Sequence, residues 1–213
     1  MIEILYQDAD VAVCVKPVGV LSQGTDETAL PTRLRTQLGG EIFPVHRLDR
    51  LTGGVMLFAR TKQAAACLNA QLQTDAFEKE YLAVLDGLWE IDAGELRDLL
   101  FFDRRKGKSF AVARRRGGVK EALLSYQALA RTQGLTLVRV RLHTGRTHQI
   151  RVQFASRGFP LAGDGKYGSK NNRCTCALWA CALRFCHPVT GEALRFSVQP
   201  PEGYPWGLFS AAR

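Results

Sequence analysis

The chain has 213 residues, of which 46% are hydrophobic and 23% are charged, a balance typical of a globular protein with one substantial core or at most two small ones. It carries 29 lysines and arginines against 20 acidic residues, a net charge of +9, which suggests a polyanionic partner such as nucleic acid but is equally compatible with a basic protein that has no such partner. No apolar run approaches the roughly 20 residues that span a bilayer, and the N-terminus lacks the layout of a secretory signal, so we expect a cytoplasmic protein without a membrane partner.

The first half of the chain predicts short strands and two helices. Apolar runs between turn residues indicate the strands, and the second strand ends at Lys16, just before the turn residues Pro17 and Gly19. Thr61 is a suitable N-cap for the second helix. The predicted elements are strands at 2–6, 11–15, 55–59 and 81–85 and helices at 30–38 and 62–72.

The second half of the chain predicts mainly hairpins. Together with the first half it indicates one α+β unit around a mixed, mostly antiparallel sheet. The predicted elements are hairpins at 96–102 with 110–113 and 122–130 with 135–142, a helix from 146 or 147, strands at 177–185 and 193–198, and a short closing helix at 204–209.

Two charged stretches stand out. Arg47, Asp49 and Arg50 precede the apolar strand at 55–59, and such a cluster can be a solvated group of ion pairs or a functional loop. We expect the residues 52–54, Thr-Gly-Gly, to let this loop turn sharply into the strand. The densest positive patch extends from residue 104 to residue 120, and it is equally compatible with a solubilising loop and with phosphate contacts.

Six cysteines raise the question of a metal site. Cys174, Cys176, Cys181 and Cys186, followed by His187, lack the paired C-x2-C spacing of a zinc knuckle. Cys181 and Cys186 would also point to opposite faces of one strand. We therefore predict reduced thiols and no metal.

Five ordered motifs together resemble one family, the RluA-like RNA pseudouridine synthases. Each is weak alone, but they follow the family's order over nearly the whole chain. They are Lys16-Pro17-x-Gly19, His46-Arg47-Leu48-Asp49-x-x-Thr52-Gly53-Gly54, Lys79-x-Tyr81-x-Ala83, Thr144-Gly145-Arg146-Thr147-His148-Gln149-Ile150-Arg151, and Gly163-Asp164-x-x-Tyr167-Gly168.

The resemblance implies the fold and the site residues. It implies the pseudouridine synthase catalytic fold, with helices flanking a long mixed sheet and a central cleft, over residues 1–213 as a single catalytic domain. Many relatives also carry an S4-type RNA-binding domain, and because the first predicted strand starts at residue 2 we expect none in this chain. Asp49 matches the family's catalytic aspartate, and Arg151 matches the arginine that pairs with it. Tyr81 matches the tyrosine that stacks on the target base. Arg47 matches the arginine that fills the space left by the flipped base.

The implied reaction is the isomerisation of uridine in ribosomal or transfer RNA by a monomeric enzyme. It involves neither redox change nor net hydrolysis, so we expect no cofactor and no metal. A non-catalytic RNA-binding or assembly factor on the same fold is the alternative. A hydrolytic glycosidase would use two carboxylates, and we interpret Asp164 as a turn-former first. The residues expected to contact RNA, besides Arg47, are Lys16, Arg104, Arg105, Arg114, Arg115, Arg116 and Arg146.

Overall fold

The computed structural model describes residues 1–212 and shows an α+β protein, as predicted. Two short 3₁₀ helices, Gly165–Tyr167 and Trp206–Ala212, accompany the main elements. The helices are α1 (Leu30–Leu38), α2 (Lys62–Gln71) and α3 (Gln149–Ala155). The strands are β1 (Glu3–Gln7), β2 (Val11–Lys16), β3 (Phe43–Pro44), β4 (Gly53–Ala59), β5 (Glu78–Asp86), β6 (Ala93–Asp103), β7 (Lys108–Val112), β8 (Val119–Thr132), β9 (Leu135–Leu142), β10 (Leu178–Cys186) and β11 (Ala193–Ser197).

The described chain divides into two compact units. The first unit contains residues 1–79 and 179–200, and the second contains residues 80–178 and 201–212. The first unit has the strand order β1-β2-β4-β10, with β3 beside β4 and β11 beside β10. Because β10 runs parallel to β4 whereas the other pairs are antiparallel, the strands are mixed, as predicted. The second unit has the order β5-β9-β8-β6-β7, and the pairs described there are antiparallel.

The core of the first unit is built on β2 and β4, whose residues are all buried. Continuous apolar runs form such strands because both faces of the sheet are covered. Helix α2 packs Ala64 and Leu68 into this core, and the Thr61 hydroxyl accepts a hydrogen bond of 3.1 Å from the Ala64 N–H, which is the predicted N-cap.

Gly53 and Gly54, which follow the loop of Arg47, Asp49 and Arg50, have a different structural role from the one predicted. Gly53 and Gly54 are the first two residues of β4 and pair with Trp179 and Ala180 of β10. A Cβ atom on Gly54 would overlap the Ala180 carbonyl, and one on Gly53 would overlap the Trp179 ring. The prediction of a sharp turn at residues 52–54 is therefore wrong for both glycines, which permit the close approach of two parallel strands.

Several element boundaries differ from the predictions. β6 and β8 extend beyond the predicted 96–102 and 122–130, and β3, of two residues, was not predicted. Helix α3 starts at Gln149 rather than at 146 or 147, because His148 has a left-handed backbone with φ of 55° and cannot belong to a right-handed helix. The predicted closing helix is a 3₁₀ helix that starts at Trp206.

No disulfide involves any of the six cysteines, all of which lie in the described residues, and Cys14 and Cys176 are buried. Within residues 1–212, no helix combines the length and the apolar character that crossing a membrane requires.

Candidate active site

Asp49 lies in the loop that connects β3 to β4, in the first unit. The residue is half-buried, whereas Arg47 and Arg50 on either side of it are exposed. The backbone around it is held at two points: the Leu48 carbonyl accepts a 2.8 Å hydrogen bond from the Ser22 hydroxyl, and the Asp49 carbonyl accepts one of 3.0 Å from the Thr52 N–H. The loop therefore presents its carboxylate from a fixed backbone.

The turn after β2 clamps the other side of this loop. The Gly19 N–H donates to the Arg50 carbonyl at 2.8 Å, and Arg50 Nε donates back to the Gly19 carbonyl at 3.0 Å. Lys16 Nζ donates to the carbonyls of Pro17 (2.9 Å), Val20 (2.7 Å) and Arg50 (3.3 Å). Arg50, to which the sequence assigned no task, thus ties the loop to the turn.

Lys16 was predicted to contact RNA, but the structure buries it. The residue has no exposed surface, and its ammonium group donates to three carbonyls inside the protein, so a phosphate cannot reach it in this conformation. Burial lowers the pKa of Lys16 to about 8, while the nearby Asp49 carboxylate acts in the opposite direction. The prediction of an RNA contact is corrected here: Lys16 is a buried cation beside the candidate catalytic carboxylate.

His46 supports the same loop from the side of the core. Its Nε2 accepts a hydrogen bond of 3.1 Å from the Leu57 N–H, and its ring packs edge-on against Phe77 with centroids 5.8 Å apart. Burial, reinforced by the positive charge of Lys79, lowers the pKa of His46 to about 3. The imidazole is therefore neutral near pH 7 and acts as a structural acceptor that fixes the residue before Arg47.

Tyr81 and Arg151 belong to the second unit. Tyr81 lies on β5 opposite Val140 of β9 and is buried. Arg151 lies in α3, and its guanidinium group binds the Asp164 carboxylate through two hydrogen bonds, Nε to Oδ2 at 2.6 Å and Nη2 to Oδ1 at 2.8 Å. Stacking of Tyr81 on a base and pairing of Arg151 with Asp49 stay predictions.

Asp164 is the residue of this region whose role the sequence did not reveal. Asp164 is part of a turn, as predicted, since its carbonyl accepts hydrogen bonds from the N–H groups of Tyr167 (3.0 Å) and Ser169 (3.2 Å). Its side chain, however, makes no capping bond to the 3₁₀ helix that follows it. The Asp164 carboxylate is buried against Arg151, and the Cys176 thiol lies 3.6 Å from its Oδ2. The available signal was its place in the motif Gly163-Asp164-x-x-Tyr167-Gly168.

The predicted RNA-contacting arginines are mostly exposed. Arg104 and Arg105 lie in the loop between β6 and β7, and Arg114 to Arg116 lie between β7 and β8. Arg115 forms a 3.0 Å ion pair with Glu121, whose carbonyl accepts a 2.8 Å hydrogen bond from Arg146 Nε. Arg146 is half-buried by this contact. The second unit thus exposes the guanidinium groups needed for phosphate contacts.

Asp8, Asp10 and His187 form the one acid–histidine group in the described chain whose ligand atoms come within metal-binding reach of one another. His187 Nδ1 already accepts from the N–H groups of Val189 and Thr190, and its Nε2 lies 2.9 Å from Asp8 Oδ2. Hydrogen bonds therefore occupy both imidazole nitrogens, and the group ties β1–β2 to β10–β11.

Comparison with known proteins gives concordant matches. A family model described as RNA pseudouridylate synthase matches residues 10–156. An uncharacterized RNA pseudouridine synthase of Aquifex aeolicus is 37% identical over 95% of this chain and 71% of its own length. The ribosomal large subunit pseudouridine synthase C of Escherichia coli is 34% identical over 94% of this chain and 67% of its own length. The structure of human RNA Pseudouridylate Synthase Domain Containing 1 matches with a TM-score of 0.80 at 25% identity, covering 94% of this chain and 84% of the human chain.

Proposed function

The chain belongs to the RNA pseudouridylate synthase family and so converts uridine in RNA to pseudouridine, and we propose that Asp49 is the residue that carries out this reaction. The observation that carries the proposal is the fixed loop around the half-buried Asp49, which is hydrogen-bonded to the turn after β2 and to the buried Lys16 at the end of that strand. The comparisons do not favour the alternative of a non-catalytic RNA-binding factor.

The reaction requires one carboxylate near the sugar. The bond from ribose carbon 1′ to nitrogen 1 of uracil breaks, the base turns, and carbon 5 bonds to the same sugar carbon. Carbon 5 then loses its proton, and nitrogen 1 gains one, so atoms and electrons balance. The Asp49 carboxylate can act as a nucleophile on the sugar or as the base that removes a sugar proton.

Three further side chains complete the proposed site. Arg151, oriented by two hydrogen bonds to Asp164, supplies a positive charge to the Asp49 carboxylate, since a planar guanidinium can bind a carboxylate in a defined orientation. Tyr81 stacks on the target uracil. Arg47, exposed beside Asp49, enters the space that the base leaves, and these two contacts offset the few kcal/mol needed for flipping.

We propose ribosomal RNA as the substrate, with transfer RNA as the second candidate. Support comes from the Escherichia coli relative, whose name assigns it to the large ribosomal subunit. Arg104, Arg105 and Arg114 to Arg116 would bind phosphates. We also propose that residues 1–213 act as one catalytic domain, as a monomer and in the cytoplasm; the family model draws its residues 10–156 from both compact units.

The test uses purified protein with transcripts of ribosomal RNA and with total transfer RNA. Pseudouridine is detected by carbodiimide labelling and primer extension, and RNA binding is measured separately by filter retention. We expect wild-type protein to modify uridine in ribosomal RNA, Asp49→Asn to form no product while it retains binding, and the control Asp92→Asn, at an exposed aspartate, to be fully active. Full activity of Asp49→Asn would show that another group reacts, and modification of transfer RNA alone would reverse the choice of substrate.

A further inference from the structure

Phe102 is a large apolar side chain exposed on the second unit. It lies near the end of β6 opposite Ser109 of β7, and 37% of its surface is accessible. Its ring meets the His148 ring edge to face, with centroids 6.3 Å apart. Single exposed apolar residues are common, so exposure alone assigns no function to Phe102.

His148 is held firmly in an unusual conformation. Its backbone φ is 55°, a region that side-chain-bearing residues seldom occupy and that concentrates at functional sites. His148 Nδ1 lies 2.9 Å from the Tyr167 hydroxyl, which also accepts a 2.9 Å hydrogen bond from the Ser109 N–H. The Ser109 hydroxyl donates to the Thr147 carbonyl at 2.5 Å. These contacts connect β7, the start of α3 and the 3₁₀ helix at 165–167 into a rigid support for Phe102.

The loop next to Phe102 is strongly basic. Arg104, Arg105 and Lys106 are all exposed. The nearest acidic side chain in sequence, Asp103, accepts hydrogen bonds from the N–H groups of Arg105 (2.9 Å) and Lys106 (3.1 Å). It therefore shapes the loop backbone while the three cationic side chains remain at the surface.

Two lysines fix this loop to the rest of the unit. Lys108 Nζ donates to the Lys166 carbonyl at 2.5 Å, and Lys166 Nζ donates to the Gly107 carbonyl at 2.9 Å. Lys108 also lies over the Tyr167 ring, 4.8 Å from its centroid. The basic loop and the histidine support are therefore one connected structure.

We propose that Phe102 is a stacking platform for an unpaired base of the RNA substrate, with His148 as its positioning residue and with Arg104, Arg105 and Lys106 binding the adjoining phosphates. An aromatic face beside clustered cations suits single-stranded RNA because every base can stack while the backbone is neutralised. The inference rests on the proposed function and adds a contact for a base other than the target uridine.

The test measures binding of a fluorescein-labelled oligouridylate by anisotropy over a series of salt concentrations. Phe102→Ala weakens binding about tenfold, as expected for one lost base–aromatic stack, and leaves the slope of log K against log salt unchanged. Phe102→Tyr retains wild-type affinity. Lys106→Gln lowers the magnitude of that slope by about 0.7, because one phosphate contact is lost. Ile91→Ala, at an apolar residue exposed in the same unit, is the matched control and changes neither quantity.

The positioning role of His148 has its own readout. His148→Asn keeps a residue that tolerates the left-handed backbone and removes the imidazole, so it weakens oligouridylate binding less than Phe102→Ala does. In the double variant the two losses are not additive, because both act through one ring. If the two losses of oligouridylate affinity are additive, His148 does not act by positioning Phe102.

If Phe102→Ala binds oligouridylate with wild-type affinity, or shows a reduced salt slope, the proposal that Phe102 is a stacking platform is wrong. Because anisotropy does not depend on catalysis, the two proposals fail separately. If wild-type protein forms no pseudouridine while the binding results hold, the proposed function fails. If pseudouridine forms while Phe102→Ala binds normally, the platform alone fails.

Discussion

Arg151 and Asp164 form a buried, two-point ion pair across 13 residues of sequence. Arg151 Nε and Nη2 donate to the two carboxylate oxygens at 2.6 and 2.8 Å, and both side chains are almost completely excluded from solvent. Parallel hydrogen bonds of this kind fix the plane of the guanidinium group as well as its position. Asp164 thus sets the orientation of the Arg151 guanidinium group within the second unit.

Removing the Asp164 charge tests this relationship. Asp164→Asn keeps the shape of the side chain but leaves the buried Arg151 without a carboxylate at this position, so the free energy of unfolding falls by about 3 kcal/mol. Urea unfolding followed by circular dichroism measures the change. The matched control is Asp92→Asn, which breaks the pair of Asp92 with Arg131 at the surface and lowers stability by less than about 1 kcal/mol. Equal effects of the two substitutions would contradict the burial argument.

Local patterns in the sequence predicted the strands and helices that local physics determines. The apolar runs at β2 and β4 and the N-cap at Thr61 were recognisable because a short stretch contains the whole signal. Strand β3 has two residues and no such signal. The task of Gly53 and Gly54 depends on Trp179 and Ala180, more than 120 residues later, and the pattern around the glycines cannot report that contact.

In the candidate site, too, local motifs were recognisable from the sequence, whereas contacts between distant residues were not. The motif around Asp49 identified the loop, but the burial of Lys16 depends on a turn that folds back onto Arg50. A lysine at the end of a strand has the same appearance in sequence whether its ammonium faces water or three carbonyls. Asp164 was placed in a glycine-rich turn correctly, while its pairing with Arg151 is a tertiary contact that spacing alone does not predict.

Lys16→Met tests the structural role of the buried ammonium. The substitution removes the hydrogen bonds from the charged Lys16 donor to the carbonyls of Pro17, Val20 and Arg50, and a hydrogen bond to a charged group contributes about 1.5–3 kcal/mol. We expect lower stability to urea and slower pseudouridine formation, with unchanged binding of oligouridylate because Lys16 has no exposed surface. Lys106→Gln, at an exposed lysine, shows the opposite pattern of weaker binding and normal stability. Loss of binding in Lys16→Met without loss of stability would restore the RNA contact.

The low pKa of His46 predicts how the free energy of unfolding depends on pH. Its pKa is about 3 in the folded protein, lowered from 6.5 by burial, so between these values the unfolded chain binds a proton that the folded chain does not. The stabilising contribution is complete above pH 6.5 and is lost as the pH falls toward 3, by about 1.4 kcal/mol per pH unit.

The comparison is between wild-type protein and His46→Gln, which keeps an acceptor for the Leu57 N–H but does not titrate. Free energies of unfolding are measured in urea from pH 7 to about pH 4. The wild-type curve falls more steeply than that of His46→Gln, and the control His143→Gln, at an exposed histidine, follows the wild type. Parallel curves for wild type and His46→Gln would show that the buried imidazole does not contribute.

Gly54→Ala tests the approach of β4 to β10, which positions the strand that follows the Asp49 loop. Gly54 has a φ of 115° and pairs with Ala180, whose carbonyl oxygen and N–H group occupy the space that a Cβ would need. Backbone atoms of a central strand cannot move aside as a flexible side chain can, and the backbone conformation itself disfavours alanine. We expect a loss of at least about 3 kcal/mol in the free energy of unfolding, measured in urea, or no soluble protein.

Gly117→Ala is the control, because its Cβ would enter open space and stability should stay within about 1 kcal/mol of wild type. If Gly54→Ala were as stable as Gly117→Ala, the parallel pairing of β4 with β10 at Ala180 would be wrong.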